Sequence, residues 1–476
     1  MSRRLKTTDW LLILVAVGAL VRVAAWSSKG GFHYPDEIFQ QLDPAHFLRT
    51  GVAWLPWEFD RGLRSWLLPW LYAGMMEALS WVGVEGLDAL RAINLHNALL
   101  SVAVVPAAFR MGRALCHGDE GEGDRWGLAA AAAAAAAPPL LYFAPHALSG
   151  STSLVCLCWG WTFWLEARRG EDGARRALVW AGCFFGLAAS MRFTTTLYMT
   201  VPALDLAARS RGRDLHLLVL GAAPPLAVLG AVDALSWGTP FHSIIEHFTY
   251  NFLEDGASEH GVSPWHFYLT TATAARLGPG LIPAACLMAL GARRSWPLLA
   301  SAAVPFVLLS TIPHKEERFI MHQWPLLAVA MAIGAAVFWR SCARRGFRAP
   351  TLGCAILASV ILISSFIGVA ELPWRWRAGL FEAQDYVGRQ SDATGLVFDD
   401  RQHLNGGYLC LNRNIPQVEF SPGRLENPLY NYAALASDTI PVALLLNRGW
   451  EEAATFEAFV VLRKPASPRV PPPAKP

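Results

Sequence analysis

The sequence predicts an α-helical protein that crosses a membrane many times and ends in a small α/β domain outside the cytoplasm. Three observations predict it. The 476 residues are 54% hydrophobic and only 16% charged, with a mean hydropathy of +0.31, whereas soluble globular domains average about 25% charged residues. Apolar runs of about 20 residues, the length that crosses a bilayer core, recur along the chain. From Glu371 onward the composition becomes that of a soluble domain.

The first apolar run, 10–26, follows the basic opening Met-Ser-Arg-Arg-Leu-Lys. It has the build of a secretory leader, but no small-residue cleavage site precedes the acidic loop behind it, so it reads as a retained first span. Further runs lie at 64–84, 92–109, 126–144, 148–165, 215–233, 268–291, 296–313, 319–339 and 350–370. The stretch 177–207 is long enough for a hairpin of two spans broken near Arg192. The alanine tract 129–137 is a strong helix former. These runs predict about eleven to thirteen membrane helices. They lie in a catalytic domain over 1–370, with a first outer loop, 27–63, that carries an amphipathic helix. A soluble α/β domain follows over 371–465, and a proline-rich tail over 466–476.

Arginine placement orients the spans, because cytoplasmic loops are enriched in Lys and Arg. Arg168/Arg169/Arg175/Arg176, Arg209/Arg211/Arg213, Arg293/Arg294 and Arg340/Arg344/Arg345/Arg348 are assigned to the cytoplasm. That assignment puts the loop at 34–40, the loop at 314–319 and everything after about 371 on the outer face. The number of crossings between Asp36 and Arg168 must then be odd, yet four apolar runs lie between them, so one is re-entrant, split or not a span. Arg110 and Arg113 favour an inner turn after 92–109, which directs suspicion to 64–84 or 92–109 itself.

Composition also narrows the partners. The net charge of +3 and the lack of a basic stripe interleaved with aromatics argue against nucleic acid. Of the cysteines only Cys410 falls in the outer domain, so no disulfide is expected there. Cys156 and Cys158 are two apart in a helical run and diverge around it, which suits packing rather than metal binding.

Chemistry concentrates in a few polar knots. Asp36 and Glu37 sit where the chain leaves the first span, in a segment (31–69) too polar to cross. Ile38, Phe39, Leu42, His46 and Phe47 have the spacing of a helix lying on the interface. Trp54, Trp57, Trp66 and Trp70 suit the headgroup zone. His314-Lys315-Glu316-Glu317-Arg318-Phe319 interrupts two apolar runs, a costly placement that marks a functional site. His314, Lys315 and Arg318 are suited to a phosphate, Arg through its bidentate fork, with Glu316 or Glu317 holding the arginine. A third group, Asp233, Trp237-Gly238-Thr239-Pro240-Phe241, Asn251 and His260 through Tyr268, mixes aromatics and histidines with Gly and Pro, as a loop facing a sugar or headgroup does. Arg192 either reaches a lipid phosphate or snorkels to the interface.

Together, Pro35-Asp36-Glu37-Ile38-Phe39-Gln40, Arg64-Ser65-Trp66-Leu67-Leu68-Pro69, Arg192-Phe193-Thr194, Trp237-Gly238-Thr239-Pro240, Pro264-Trp265-His266-Phe267-Tyr268 and His314-Lys315-Glu316-Glu317-Arg318-Phe319 resemble the Alg/PIG-type mannosyltransferases. These are GT-C enzymes that extend GPI anchors and N-glycan precursors, and the similarity covers roughly 10–340. One departure is at 145–153, where Gly150 and Ser153 stand in a stretch that usually carries Asn and Glu. The Ala-, Arg- and Gly-heavy composition suggests a bacterial member.

The resemblance implies inverting transfer of mannose from a polyprenyl (dolichyl-type) phosphate-mannose to a hydroxyl of a lipid-linked glycan or glycolipid. It places the reaction at the outer face of a bacterial inner membrane, or on the lumenal face of the endoplasmic reticulum in a eukaryote. Asp36 and Glu37 are the candidate bases, and the sequence does not separate them. His314, Lys315, Arg318 and Arg192 are expected at the donor phosphate. Gln40, Trp237, Trp265, His266, Glu316 and Glu317 are expected to contact substrate. The lipid-phosphate sugar is a substrate, and no metal or other cofactor is expected. Two alternatives remain: another polyprenyl-phosphate-linked sugar as donor, and, in a different class, a lipid-linked-sugar transporter. A transporter would place its ionisable residues near the midplane at broken helices, whereas the sharp clusters here lie in loops.

Overall fold

A computed structural model of the chain describes residues 5–116, 122–170, 172–210, 214–399 and 404–464. Asp400, Arg211, Arg213 and the proline-rich segment 466–476 lie outside the described residues. The chain divides into two units. One is helical and comprises Met1–Ser28, Trp57–Leu68 and Asn94–Leu372; the other gathers Lys29–Pro56, Pro69–Ile93 and the chain from Pro373 onward. The acidic loop thus groups with the C-terminal domain, whereas the sequence reading placed it in the membrane domain.

In the helical unit and the helices that enter it, six stretches are long and apolar enough to cross a membrane: Thr7–Ser28, Gly86–Leu115, Leu215–Trp237, Phe267–Ser310, Gln323–Arg344 and Pro350–Ala370. By this measure the described residues hold fewer spans than the eleven to thirteen expected. Ser149–Arg168 and Ala174–Met191 are 20 and 18 residues long, but they carry more polar side chains. The expected runs 268–291 and 296–313 are one helical path, with Leu281–Ser310 unbroken through Arg293 and Arg294. The run at 64–84 yields only Leu67–Ser80, 14 residues, about 21 Å at the helical rise against a core of about 30 Å. The 177–207 hairpin does break at Arg192, whose backbone is extended (φ −150°, ψ 105°) between Ala174–Met191 and the tight helix Phe193–Met199.

Paired charges join the helix ends that the sequence assigned to the cytoplasm. Arg110 binds both oxygens of Glu166 at 2.7 and 2.6 Å, Arg340 pairs with Glu122, and Arg168 reaches Asp205 at 3.4 Å. Within the first helix, Arg22 is fully buried and hydrogen-bonded to Ser101 Oγ and to the carbonyls of Gly18, Ala134 and Ala135. A buried charge is tolerated only when its donors are satisfied, and here it pins the first helix to Glu122–Ala136. Elsewhere in this unit, Tyr268, Ala272, Leu309 and Ile320 form a buried cluster with Phe306, Ile312 and Phe319 packed on it. That cluster fixes the loop between Leu281–Ser310 and Gln323–Arg344.

The second unit is built on a mixed five-stranded sheet: β1 Leu396–Phe398, β2 Gln417–Glu419, β3 Tyr432–Ala436, β4 Glu451–Phe456 and β5 Phe459–Arg463. The order is β2-β1-β3-β5-β4, with β1 parallel to β2 and β3, and β5 antiparallel to β3 and β4. Successive residues point to opposite faces of a strand, and both faces are covered. Leu396, Phe398, Tyr432, Ala434 and Val461 pack on Leu380, Ala383 and Val387 of the helix Ala378–Gly388. Val397, Ala433, Leu435, Val460 and Leu462 pack on Leu445 of Ile440–Asn447. Trp54, from the first outer loop, lies against the first of these cores, 5.3 Å from the Phe398 ring.

Candidate active site

The acidic loop is gripped by its own unit at both ends. At the start, Gly30 N–H donates to the Trp374 carbonyl (3.1 Å) and Phe32 N–H to the Trp376 carbonyl (3.3 Å). The Phe32 ring sits 5.3 Å from both Trp376 and Phe381. A Cβ on Gly31 would lie 1.8 Å from the Trp376 carbonyl oxygen, so only glycine fits. Asp36, half-buried, then opens a widened helical turn, Glu37–Leu42, that runs into the helix Asp43–Thr50. Glu37 is buried, 3.1 Å from the Lys29 ammonium, and accepts a long bond from His33 N–H (3.4 Å). Gln40 is half-buried on the same turn.

At the far end, the fully buried Asp43 carboxyl accepts the N–H groups of Trp54 (2.8 Å) and Leu409 (2.9 Å). Burial raises its pKa to about 7, although the backbone donors of Trp54, Leu409 and Tyr408 pull the other way. Burial, and next the nearby Arg49 charge, lower His46 to about 4. This corrects the expected interfacial helix. Glu37, Gln41, Asp43 and His46 are all buried, so the segment has no outward polar face along this stretch and packs inside its unit instead.

In the helical unit, the 314–319 loop is wired by two carboxylates with different partners. Glu316 takes Arg318 through both oxygens (Nε 2.6 Å, Nη2 2.9 Å) and His314 Nε2 at 2.9 Å. Burial alone would raise the Glu316 carboxyl. The Arg318 charge, with bonds from His314 and Arg318, outweighs it and holds the group below the usual carboxylate range. In return the bond to Glu316 raises the His314 pKa. Glu317 instead binds Arg276 at 2.9 and 2.6 Å, and Arg276 also donates to the Gly368 carbonyl at 2.6 Å.

Lys315 turns inward. Its ammonium donates to the carbonyls of Ser263 (2.9 Å), Ile312 (2.5 Å) and Pro313 (3.4 Å). An ammonium has three protons, so in this arrangement Lys315 ties two loops together rather than offering its charge to a ligand. Arg192 lies with Arg318: their guanidinium carbons are 5.4 and 5.5 Å from the Phe319 ring. Arg192 also donates to Thr194 Oγ1 (3.1 Å) and Ser149 Oγ (3.4 Å).

The remaining expected residues separate. Trp237 donates its indole N–H to the Arg64 carbonyl (3.1 Å), tying the end of Leu215–Trp237 to the 57–68 segment. Trp265 is 72% exposed, and His266 beside it contacts Thr270 Oγ1 (3.4 Å). Neither joins the arginine cluster. The departures at 150 and 153 have a packing reason: Ser153 Oγ bonds His322 Nε2 at 2.9 Å, and a Cβ on Gly150 would meet Met321 Sδ at 2.6 Å.

Four features escaped the sequence reading. Lys29, the Glu37 partner, stands just before the Gly30-Gly31 pair, a visible signal of close backbone approach. Arg276, a lone arginine in an apolar run, was legible as needing a carboxylate. Asp43 is one acid in a polar segment, and its long-range partner at 409 leaves no local trace in the sequence. The fourth is a cleft lined by Trp57, Arg61, Tyr250, Glu254, Gly256, Glu259 and His260; Trp57 and His260 stood out in the sequence separately, but nothing there joined the two segments.

The fold defines the class first. ArnT from Cupriavidus metallidurans bound to undecaprenyl phosphate aligns over 96% of this chain and 98% of its own, with a TM-score of 0.61 at 15% identity. The oligosaccharyltransferase AglB of Archaeoglobus fulgidus, in complex with an inhibitory peptide and a dolichol-phosphate, aligns over 90% and 69% with a TM-score of 0.53 at 12% identity. The architecture is therefore that of the GT-C membrane glycosyltransferases.

Within that class the chain belongs to the Alg9-like mannosyltransferase family, whose model matches residues 10–374. It is similar to GPI mannosyltransferase 3 of Yarrowia lipolytica, 29% identical over 67% of this chain and 61% of that protein. It is also similar to GPI mannosyltransferase 3 of Drosophila melanogaster, 25% identical over 85% and 70%, and to GPI alpha-1,2-mannosyltransferase 3 of Mus musculus, 26% identical over 62% and 53%. The match thus spans from about half to about two thirds of these curated relatives.

Proposed function

We propose that the protein transfers mannose from a polyprenyl-phosphate-mannose to a hydroxyl of a lipid-linked glycan or glycolipid at the outer face of its membrane. The observation that carries this is the Glu316-clamped Arg318, set with Arg192 at the ring of Phe319, in a chain of the Alg9-like family. A departing phosphate gains negative charge, and fixed donors aimed at that charge lower the barrier. Support for a polyprenyl phosphate comes from the structural relatives, whose structures hold undecaprenyl phosphate and dolichol-phosphate.

In this reading the acceptor oxygen attacks C1 of the mannosyl group while Asp36 takes its proton. The bond from C1 to the phosphate oxygen breaks with its electron pair on the phosphate, and configuration at C1 inverts. General-base help of this kind is typically worth about 10²–10⁴-fold. Glu37 is buried against Lys29 while Asp36 is only half-buried, and this difference in access favours Asp36 as base. Glu316 positions Arg318, and Glu317 anchors the loop through Arg276. Arginines supply the positive charge, so the scheme invokes no metal.

The test incubates the purified protein with labelled polyprenyl-phosphate-mannose and a lipid extract of the native membrane. A mannosylated lipid or glycan is the expected product. If only a different polyprenyl-phosphate sugar is transferred, the donor assignment fails; if sugar lipid moves across vesicles without transfer, the enzyme reading fails.

A further inference from the structure

We propose that the cleft between the 57–61 segment and the 250–260 loop is a hexose subsite, a place where a neutral sugar ring of a substrate is held. The inference rests on the mannosyl-transfer reading and deepens it, since none of the cleft residues has a role in that reading. The cleft has a volume of about 440 Å³, within the range of roughly 300–1,000 Å³ usual for small-ligand sites. It adjoins the arginine cluster: the His260 ring lies 6.0 Å from the ring of His314.

Its lining has two parts. The first is aromatic. Trp57 stands 4.9 Å from Tyr250 and is stacked at 5.8 Å on His260, and 39% of Trp57 remains exposed. An aromatic face carries partial negative charge, which suits the weakly positive C–H face of a pyranose. The second is a set of paired charges. Arg61 bonds Glu246 (2.6 Å) and both oxygens of Glu254 (2.7 and 2.6 Å), with its guanidinium 4.9 Å from the Tyr250 ring. Tyr250 OH donates to Glu259 (3.1 Å) and contacts His260 Nε2 at 3.1 Å. A carboxylate can accept about four hydrogen bonds, so Glu254 and Glu259 retain capacity for sugar hydroxyls. The balance of charge also selects the ligand. Glu246, Glu254 and Glu259 outnumber Arg61 even with His260 protonated, so an anionic phosphate is disfavoured and a neutral polyol is not.

The loop is held in shape at some cost. Asp255 adopts φ +55°, the left-handed region, a conformation that persists where surrounding structure enforces it. At the next residue, a Cβ on Gly256 would lie 2.2 Å from the Tyr250 ring. The ring rests directly on the glycine backbone, and any side chain there would displace the aromatic platform.

The experiment uses the full chain in nanodiscs and an octyl α-mannoside bearing a diazirine, beside an octyl diazirine without sugar. After photolysis, the sugar probe is expected to label Trp57 or the 250–260 peptide, with labelling suppressed by excess methyl hexoside. Trp57→Ala and Gly256→Ala should each reduce that labelling about tenfold, the equivalent of 1.4 kcal/mol. Trp57→Phe should retain most of it, which separates platform loss from misfolding. Suppression by polyprenyl-phosphate-mannose assigns the subsite to the donor sugar; persistence of labelling in its presence assigns it to the acceptor. Labelling should survive in Asp36→Asn, so a failed subsite is distinguishable from a failed catalytic scheme. Equal labelling of this peptide by the sugarless probe, or no competition by any methyl hexoside, overturns the proposal.

Discussion

Asp43 and Leu409, 366 positions apart in sequence, are joined by a 2.9 Å hydrogen bond from the Leu409 N–H to a carboxyl buried from all solvent. The same carboxyl takes Trp54 N–H, and the carboxyl atoms of Asp43 lie 2.7–2.9 Å from where a Cβ on Gly407 would be. The helix that follows the acidic loop is therefore fastened to the C-terminal sheet domain by one buried acid.

That acid should make the second unit sensitive to pH. The pKa of Asp43 rises from an ordinary 3.8 to about 7 on folding, so the folded unit binds a proton that the unfolded chain has released. Its contribution is fully present below about pH 4 and is lost as pH rises through about 7. Thermal unfolding of the purified protein should show a midpoint that falls across that window, with the fall much reduced in Asp43→Asn.

The glycine at the other end of the loop tests positioning. Gly31→Ala forces the loop away from the Trp376 carbonyl, and misplacing a catalytic group by about 1 Å can cost about 10²-fold in rate. We expect kcat to fall by that order with donor KM nearly unchanged. An equal fall in extracted, folded protein would assign the effect to stability instead.

The two charged partners of Glu316 give a pair of tests. Arg318→Ala should raise donor KM and lower kcat, together by about 10²–10³-fold, the scale of a lost oxyanion-type donor. Arg318→Lys should recover little, because an ammonium does not reproduce the bidentate fork. Glu316→Gln removes the bond that raises His314, so the loss of donor affinity on raising pH should begin at lower pH than in the native protein. An unmoved profile would remove His314 from donor binding.

Lys315 should behave differently from Arg318. Its ammonium holds three carbonyls, and hydrogen bonds to a charged group are worth about 1.5–3 kcal/mol each. Lys315→Met is expected to lower thermal stability markedly while raising donor KM far less than Arg318→Ala does. The opposite ranking would return Lys315 to the phosphate.

Much of this arrangement was legible in the chain because it depends on local composition. Apolar runs, arginine placement and the break at Arg192 follow from the bilayer as solvent. The soluble α/β domain after Glu371 was legible from its change of composition. β3 was not legible, because Tyr432-Ala433-Ala434-Leu435-Ala436 is alanine-rich and buried on both faces, so it lacks both strand propensity and alternation. The helical path through Arg293 and Arg294 was misread as two spans because charge was taken as a turn. Pairings such as Lys29 with Glu37 were within local reach, whereas Glu317 with Arg276 and Asp43 with Leu409 depend on tertiary packing that no sequence window contains.

On the proposed mechanism, Asp36 takes the acceptor proton. Its most direct measurement is single-turnover transfer from labelled polyprenyl-phosphate-mannose by Asp36→Asn and Glu37→Gln, each with donor binding measured in parallel. Asp36→Asn should bind donor normally and lose transfer by about 10²–10⁴-fold, while Glu37→Gln should weaken the loop through Lys29 and leave more activity. Wild-type transfer by Asp36→Asn, with the loss appearing only in Glu37→Gln, would contradict it.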